Sequence, residues 1–342
     1  MIYIFFTYVF IIFSYIDVCG LKDKRFIPSI LGISLILLVG FRYNAGTDYL
    51  VYYALFENLE GLHDINFEVG LTTLVHLLKE IGFDVFDIFF IIGLLSLIPV
   101  IIVCCKYSRY PILSIFIYFS LYLIPINFNA IGQGLATGLF FISLLFFNKK
   151  RNAIIFIIAV IASLVHSSGF FIFIVYIFYR ITIRKDFLFF IIFTSFIFFV
   201  LNNYIYNLVM LLPFDFLVVK MKSYSDLYSD PVKYTSILQR CILVFSFMFF
   251  YDKFDEFNKR LISIYVVGFL IYSIFSFNGL IATRINLFYK VLDVLLVSNL
   301  LYLIKGKGKL FACTLLLVFG FIILSGNFKN EDVWDYKTIF NY

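Results

Sequence analysis

The residues in this chain that could carry chemistry are few, and we expect them on one side of a membrane. Arginine suits phosphate because its planar guanidinium group makes two parallel hydrogen bonds. Carboxylates and histidine can accept a proton. An ionisable side chain in a membrane span costs about 2.5–3.5 kcal/mol on insertion scales, so such residues indicate function. The candidates at or near the outer face are Arg42, Asp48, Glu68, His166, Arg240 and Arg284.

The stretch VGFRYNAGTDYLVYY, residues 39–53, carries an arginine and then an aspartate just after an apolar run ends. The residues between them are typical of a tight turn. Arg42 is interpreted either as an interfacial anchor or as a ligand for phosphate. Asp48 is interpreted either as the cap of a following helix or as a contact for a sugar hydroxyl. Tyr49, its neighbour, is included among the residues expected to contact substrate.

Two further arginines are predicted at the outer starts of spans, Arg240 in SILQRCILVF and Arg284 in NGLIATRINLFYK. A cation at a helix N-terminus opposes the helix dipole. Cations on the outer face also run against the usual excess of positive charge on the inside. Together with Arg42, these residues therefore indicate an anionic partner.

His166 lies in the middle of an apolar segment, within the sequence HSSG. It is interpreted either as a structural histidine bonded to a neighbouring helix, or as a proton acceptor or phosphate-facing donor. Gln133 adds a polar group inside a predicted span, and Glu68 adds a carboxylate at the outer face. Both are predicted to contact substrate.

The composition indicates an integral membrane protein. Of 342 residues, 63% are hydrophobic and 14% charged, and the mean hydropathy is +1.02. A soluble domain of this length would have about a quarter of its residues charged. We predict one polytopic membrane domain over residues 1–342, with residues 1–19 as a first span rather than a cleaved leader. All five cysteines lie in or beside apolar runs, so neither a disulfide nor a metal site is predicted. No cofactor and no nucleic-acid partner is expected.

The apolar runs and the basic clusters between them give a topology. The runs fall at about 2–19, 26–41, 88–105, 111–126, 128–147, 187–202, 237–250, 261–277, 286–303 and 310–325. Basic clusters such as LKDKR and NKKRN are placed in the cytoplasm by the positive-inside rule. Successive spans can alternate between the two sides of the membrane, with every basic cluster inside, only if residues 153–179 leave the cytoplasm and return. We therefore predict that they form two short helices that meet near His166. The prediction is an all-α protein with about twelve transmembrane helices and both termini periplasmic.

Two longer segments, 42–86 and 203–236, are then predicted to be outer-face loops. Within the first, FEVGLTTLVHLLKEIG (67–82) has Leu71, Leu74, Val75, Leu78 and Ile81 on one helical face. This spacing predicts an amphipathic helix at the outer interface.

The order of several segments resembles the EpsG/Wzy group of bacterial surface polysaccharide polymerases, which includes O-antigen polymerases. The similar segments are FRYNAGTDYLVYYALF (41–56), FEVGLTTLVHLLKEIG (67–82), FNAIGQGLATGLFF (128–141), ASLVHSSGFFIF (162–173) and ATRINLFYK (282–290). The final VWDYKTIFNY is similar to an aromatic tail that many of these proteins carry. One departure is Gly132 before Gln133, where the family usually has Arg-Gln. If that arginine binds pyrophosphate in relatives, another cation must do so here, with Arg240 and Arg284 as the candidates, and the role of Gln133 is open.

The resemblance implies a glycosyl transfer at the periplasmic face of the bacterial inner membrane. A growing glycan on undecaprenyl pyrophosphate would pass to a lipid-linked repeat unit. Arg42, Arg240 and Arg284 would bind pyrophosphate, and Asp48 or His166 would accept the hydroxyl proton. A chain-length regulator protein is a possible further partner. The alternatives are a flippase for lipid-linked oligosaccharides and an O-antigen ligase.

Overall fold

The computed structural model describes residues 2–61, 67–149, 151–210, 230–327 and 335–341. These residues form helices almost throughout, together with one antiparallel ladder of two short strands. Their contacts divide the chain into two compact units. The first unit comprises Met1–Phe173 and Val297–Tyr342, and the second comprises Ile174–Leu296. The single membrane domain and the outward position of the two loops stay predictions.

The α-helices follow most of the predicted apolar runs. In chain order they are α1 (Ile2–Gly20), α2 (Phe26–Gly40), α3 (Tyr49–Asn58), α4 (Val69–Ile81), α5 (Val85–Tyr107), α6 (Pro111–Tyr118), α7 (Ile131–Phe147), α8 (Asn152–Val165), α9 (Phe171–Arg180), α10 (Lys185–Val200), α11 (Asn202–Met210), α12 (Tyr234–Phe249), α13 (Glu256–Ile274), α14 (Gly279–Lys290), α15 (Asp293–Leu303) and α16 (Lys307–Asn327).

The remaining elements are short, apart from one π-helical segment that continues α6. They are the π-helix Phe119–Asn129, the 3₁₀ turns Ser167–Phe170, Tyr251–Lys253 and Ile339–Asn341, and the strands β1 (Arg42–Tyr43) and β2 (Lys337–Thr338). Residues 211–229, the middle of the predicted outer loop 203–236, lie outside the described residues.

The protein is a membrane protein by the length and composition of its helices. Among the described residues, five helical segments are long and apolar enough to cross a bilayer: Ile2–Gly20, Val85–Tyr107, Pro111–Asn129, Glu256–Ile274 and Lys307–Asn327. Several shorter apolar helices accompany them. About twelve crossings and periplasmic termini stay predictions.

The break near His166 is confirmed. α8 ends at Val165, His166 is extended with φ −157° and ψ 132°, and a 3₁₀ turn leads into α9. The single span predicted over 286–303 is wrong, because α14 ends at Lys290 and α15 begins at Asp293. A basic residue in a last turn and an acidic residue in a first turn both complement the helix dipole, so these charges favour two helix ends there.

The predicted amphipathic helix is confirmed as α4. It ends at Gly82, which has a positive φ of 100°, and a reciprocal hydrogen-bonded cap between Asp84 and Asp87 starts α5 directly afterwards. Ile81 on the same apolar face is 72% exposed, whereas Leu71, Val75 and Leu78 are buried. Ile81 is the last residue of the helix, beside the chain reversal.

The buried face of α4 packs on helices of its own unit, in a group of side chains that we call the Tyr49 cluster. Its buried members are Tyr49, Leu55, Phe56, Leu59, Leu71, Val75, Leu78, Ile88, Phe89, Ile92, Ile131, Leu135 and Val165. The cluster joins α3, α4, α5, α7 and the end of α8. It therefore forms a common apolar wall for the residues described next.

Candidate functional site

Arg42 and Tyr49 are the most deeply buried of the candidate residues. Arg42 lies in β1, just beyond the end of α2, and its side chain is 1% exposed. Its Nη1 donates to the Val39 carbonyl at 2.9 Å, and its Nη2 reaches the Phe128 carbonyl at the long distance of 3.5 Å. The guanidinium carbon lies 4.8 Å from the ring centroid of Phe128 and 5.1 Å from that of Phe89. Arg42 is therefore held in an aromatic cage.

The charge of Arg42 is not balanced by a carboxylate in the part of the chain that the structure describes. Its Nε has no hydrogen-bond partner there, and neither does the buried hydroxyl of Tyr49, whose ring centroid lies 6.0 Å from the guanidinium carbon. Burial lowers the pKa of Arg42 to about 10, so the side chain keeps its charge at neutral pH. A buried cation is costly unless it is paired or hydrogen-bonded, and among the described residues the aromatic rings and two carbonyl groups offset that cost for Arg42.

A narrow cleft, too small to hold a water molecule, lies beside the guanidinium group. Its walls include Arg42, Phe89, Ser96, Asn127 and Ile131. The Asn127 amide donates to Ser96 Oγ at 2.9 Å, which fixes this polar wall in place. The cleft therefore combines a cation with apolar sides and oriented polar groups.

Asp48 lies away from the guanidinium group of Arg42 and is exposed. It occupies the N-cap position of α3, but its carboxylate makes no cap hydrogen bond. Instead it accepts from the Thr47 hydroxyl at 3.0 Å. The Thr47 amide donates to the Asn129 side chain at 3.1 Å, and Gly46 has a φ of 116°. The turn thus presents Asp48 outward, and no ion pair with Arg42 is formed among the described residues.

Glu68 and His166 come from distant parts of the sequence and meet. His166 Nε2 lies 3.8 Å from Glu68 Oε1, and the Glu68 side chain is 35% exposed. His166 Nδ1 accepts from the Ser168 amide at 3.2 Å and lies 2.7 Å from Ser168 Oγ. Because Nδ1 accepts that N–H, a neutral imidazole carries its proton on Nε2, toward the carboxylate.

Close backbone contact of α4 with α8 brings Glu68 to His166. A Cβ added at Gly70 would lie 2.6 Å from the carbonyl carbon of Leu164. Gly132 is close to the same place: its Cβ would lie 3.2 Å from the Val165 carbonyl oxygen and 3.6 Å from the imidazole of His166. Position 132, where the EpsG/Wzy group usually has arginine, therefore borders His166.

We predict that Gly70→Ala separates α4 from α8. The added methyl would overlap backbone atoms of Leu164, and overpacking of this kind costs about 1–3 kcal/mol. A lower melting temperature in detergent and a lower activity are expected. The matched control is Gly61→Ala, since a Cβ at the exposed Gly61 meets none of the described residues within 4 Å. Equal stability of the two variants would contradict the prediction.

Gln133 lies in the first turn of α7 and is 8% exposed. Its backbone carbonyl accepts from the Thr137 hydroxyl at 2.7 Å. Its side chain makes no hydrogen bond with the residues that the structure describes. That Gln133 contacts substrate stays a prediction.

The other two arginines belong to the second unit. Arg240 is 6% exposed, donates to the Asn286 side-chain oxygen and lies 3.4 Å over the ring of Tyr272. Arg284 is half-buried in α14. Both lie beyond the first turn of their helices. The argument from a cation at a helix N-terminus is therefore wrong for them, because the dipole effect falls off within that turn.

We predict that Arg240→Ala acts mainly on stability. It removes the bond to Asn286 and the contact with Tyr272 and leaves a buried amide oxygen unsatisfied, at a cost of about 1–3 kcal/mol. The melting temperature of the purified protein is expected to fall, while Gln239→Ala, on the exposed face of the same helix, leaves it unchanged. An Arg240→Ala protein as stable as wild type would contradict this.

The structure thus groups the candidates into an Arg42–Tyr49 cage and a Glu68–His166 pair, both beside the Tyr49 cluster. Sequence reasoning missed Phe89, Phe128, Ser168 and Asn127. Nothing distinguishes the two phenylalanines among 48 in the sequence. Asn127 falls between the predicted runs 111–126 and 128–147, so the search for polar groups inside a span, which found Gln133, passed over it.

No group of three or more His, Cys, Asp or Glu side chains in the described ranges is arranged to hold a metal ion. All five cysteines, each within the described ranges, are free.

Comparison with known proteins gives one match. The model of the EpsG family matches residues 25–342. No curated protein and no solved structure matches the chain.

Proposed function

Because the chain belongs to the EpsG family, which is associated with polysaccharide polymerases, we propose that it polymerises a bacterial surface polysaccharide such as O-antigen. The glycan would move from undecaprenyl pyrophosphate to a lipid-linked repeat unit at the periplasmic face of the inner membrane. The observation that carries the proposal is the family match over almost the whole chain. The buried charge of Arg42, which no carboxylate among the described residues balances, supports it.

The reaction needs a cation for the departing pyrophosphate. A hydroxyl of the acceptor sugar attacks the anomeric carbon, the bond from that carbon to the pyrophosphate oxygen breaks, and two negative charges or more leave together. Fixed positive charge in a water-poor site stabilises such a transition state strongly. We assign this role to Arg42. A phosphate oxygen would accept from Nη2, whose contact with the Phe128 carbonyl is long, and from Nε, which has no partner among the described residues.

The departure at Gly132 supports the same assignment. In this chain the position bears no side chain and borders His166, while the adjacent Ile131 lines the cleft of Arg42. We therefore propose that Arg42, in the first unit, binds the pyrophosphate in place of the arginine that the family usually has at position 132. Gln133, one residue further, would donate to a phosphate or sugar oxygen. Arg240 and Arg284 stay proposed phosphate ligands of the second unit.

The reaction also needs a group that accepts the hydroxyl proton. We propose Glu68 for this role, with His166 holding its carboxylate. Glu68 is partly exposed, whereas Nδ1 of His166 already accepts a hydrogen bond from Ser168. Asp48, exposed at the start of α3, and His166 itself are the alternative proton acceptors. Tyr49 and the apolar walls would flank the sugar and the lipid.

The test is complementation of a polymerase-deletion strain of the matching serotype, with surface polysaccharide separated on a gel. Wild type is expected to restore a ladder of repeat units. If the deletion strain shows single capped repeat units and the chain does not extend them, the proposal fails. A deletion strain that lacks even single capped units would instead support a flippase or a ligase.

A further inference from the structure

A segment far along the chain completes the backbone around Arg42. Strand β1 has two residues, and its partner in the described sheet is β2, with Arg42 opposite Thr338 and Tyr43 opposite Lys337. A two-residue strand has no stability of its own. The direction in which β1 holds the Arg42 side chain therefore depends on residues 335–341, which we call the strap.

The strap is attached on both sides of this pairing. The Tyr336 hydroxyl donates to the Leu38 carbonyl at 2.9 Å, and the Ile339 amide donates to the Phe41 carbonyl at 3.1 Å. The ring of Tyr336 packs edge-on against buried Tyr3, with centroids 5.8 Å apart. The last turn of α2 and the strand that follows it are thus tied to the strap at successive points.

The strap also contributes to the surroundings of the cation. Tyr336 interacts electrostatically with Arg42, and burial raises the pKa of Tyr336 to about 12. The phenol is neutral at physiological pH, so it adds no charge that would balance Arg42. The strap therefore orders the backbone beside Arg42 without neutralising the guanidinium.

We propose that residues 335–341 are a positioning element for Arg42, that Tyr336 is their anchor, and that the strap stays paired with β1 during turnover. Pairing of the strap during turnover rests on the polymerase function proposed above. Pairing in the resting protein does not, so it is tested by a measurement that needs no activity.

The first test measures accessibility at position 42. The side chain of Arg42 is 1% exposed, so Arg42→Cys should react slowly with a membrane-impermeant maleimide. Adding Ile339→Pro removes the N–H that bonds to Phe41, at the start of a 3₁₀ turn where proline fits. We expect labelling at least about five-fold faster, the equivalent of one net hydrogen bond. The control is Ile339→Leu, which keeps the N–H; equal labelling with Pro and Leu would overturn the positioning role.

The second test locks the strap. Tyr43→Cys with Lys337→Cys places thiols on register partners, whose Cα atoms lie within the range that a disulfide spans. Tyr43→Cys with Asp335→Cys, two residues out of register, and each single variant are the controls. We expect an oxidised band for the register pair and a polysaccharide ladder equal to that of the reduced protein.

Two results would overturn the proposal. Failure of the register pair to cross-link above its controls would show that the strap is not paired with β1. A ladder lost on oxidation and regained on reduction would show that the strap must leave β1 during turnover and is a lid. If wild type makes no polymer, the labelling and cross-linking results still decide the pairing, and only the proposed function fails.

Discussion

Arg42→Ala is expected to abolish the polysaccharide ladder while leaving single repeat units. Removing one preorganised donor from a transition-state charge costs about 10²–10³ in rate, and a full cation in a buried cage should cost at least as much. Arg42→Lys is expected to fail as well. Lysine cannot make two parallel hydrogen bonds, and it fits poorly between the rings of Phe89 and Phe128.

The measurement is the ladder on a gel, corrected for the amount of protein in the membrane. The matched control is Arg184→Ala, because that side chain is 85% exposed and pairs with Asp186 at the surface. Since Arg42→Ala also leaves a cavity, the melting temperature of each purified variant is compared. A folded Arg42→Ala protein that still makes a ladder would remove Arg42 from the proposed site.

Glu68→Gln is expected to have the second largest effect. The substitution keeps the size of the side chain and its polar oxygen near His166, but it cannot accept a proton at neutral pH. General base catalysis contributes about 10²–10⁴ in rate, so the ladder should shorten to one or a few repeat units. The matched control is Glu80→Gln, an exposed carboxylate on the same helix α4.

The comparison with Asp48→Asn separates the two candidate bases. If Glu68→Gln keeps the full ladder and Asp48→Asn loses it, the exposed carboxylate at the start of α3 is the base and the Glu68–His166 pair is structural. His166→Asn should give a smaller loss than Glu68→Gln if the histidine only holds the carboxylate. A larger loss with His166→Asn would assign proton transfer to the imidazole.

Local features of the chain could be predicted from residue types because they depend on near neighbours. The interruption of an apolar run at His166 and the tight turn before Asp48 are of this kind. The amphipathic helix α4 is another, since its spacing of leucines and valines fixes which face is apolar. The division at Lys290 and Asp293 was missed because hydropathy averages over a window and does not weigh the sign of a charge at a helix end.

The sequence by itself determined that this is a membrane protein of apolar helices with a small set of charged residues. It also showed that several segments follow the order typical of the EpsG family. Only the tertiary structure decided what those residues contact. Glu68 meets His166 because Gly70 lets two backbones approach, and Arg42 is caged because α5, the π-helical segment and the strap close around it. Such contacts join residues far apart in the chain, and no local pattern encodes them.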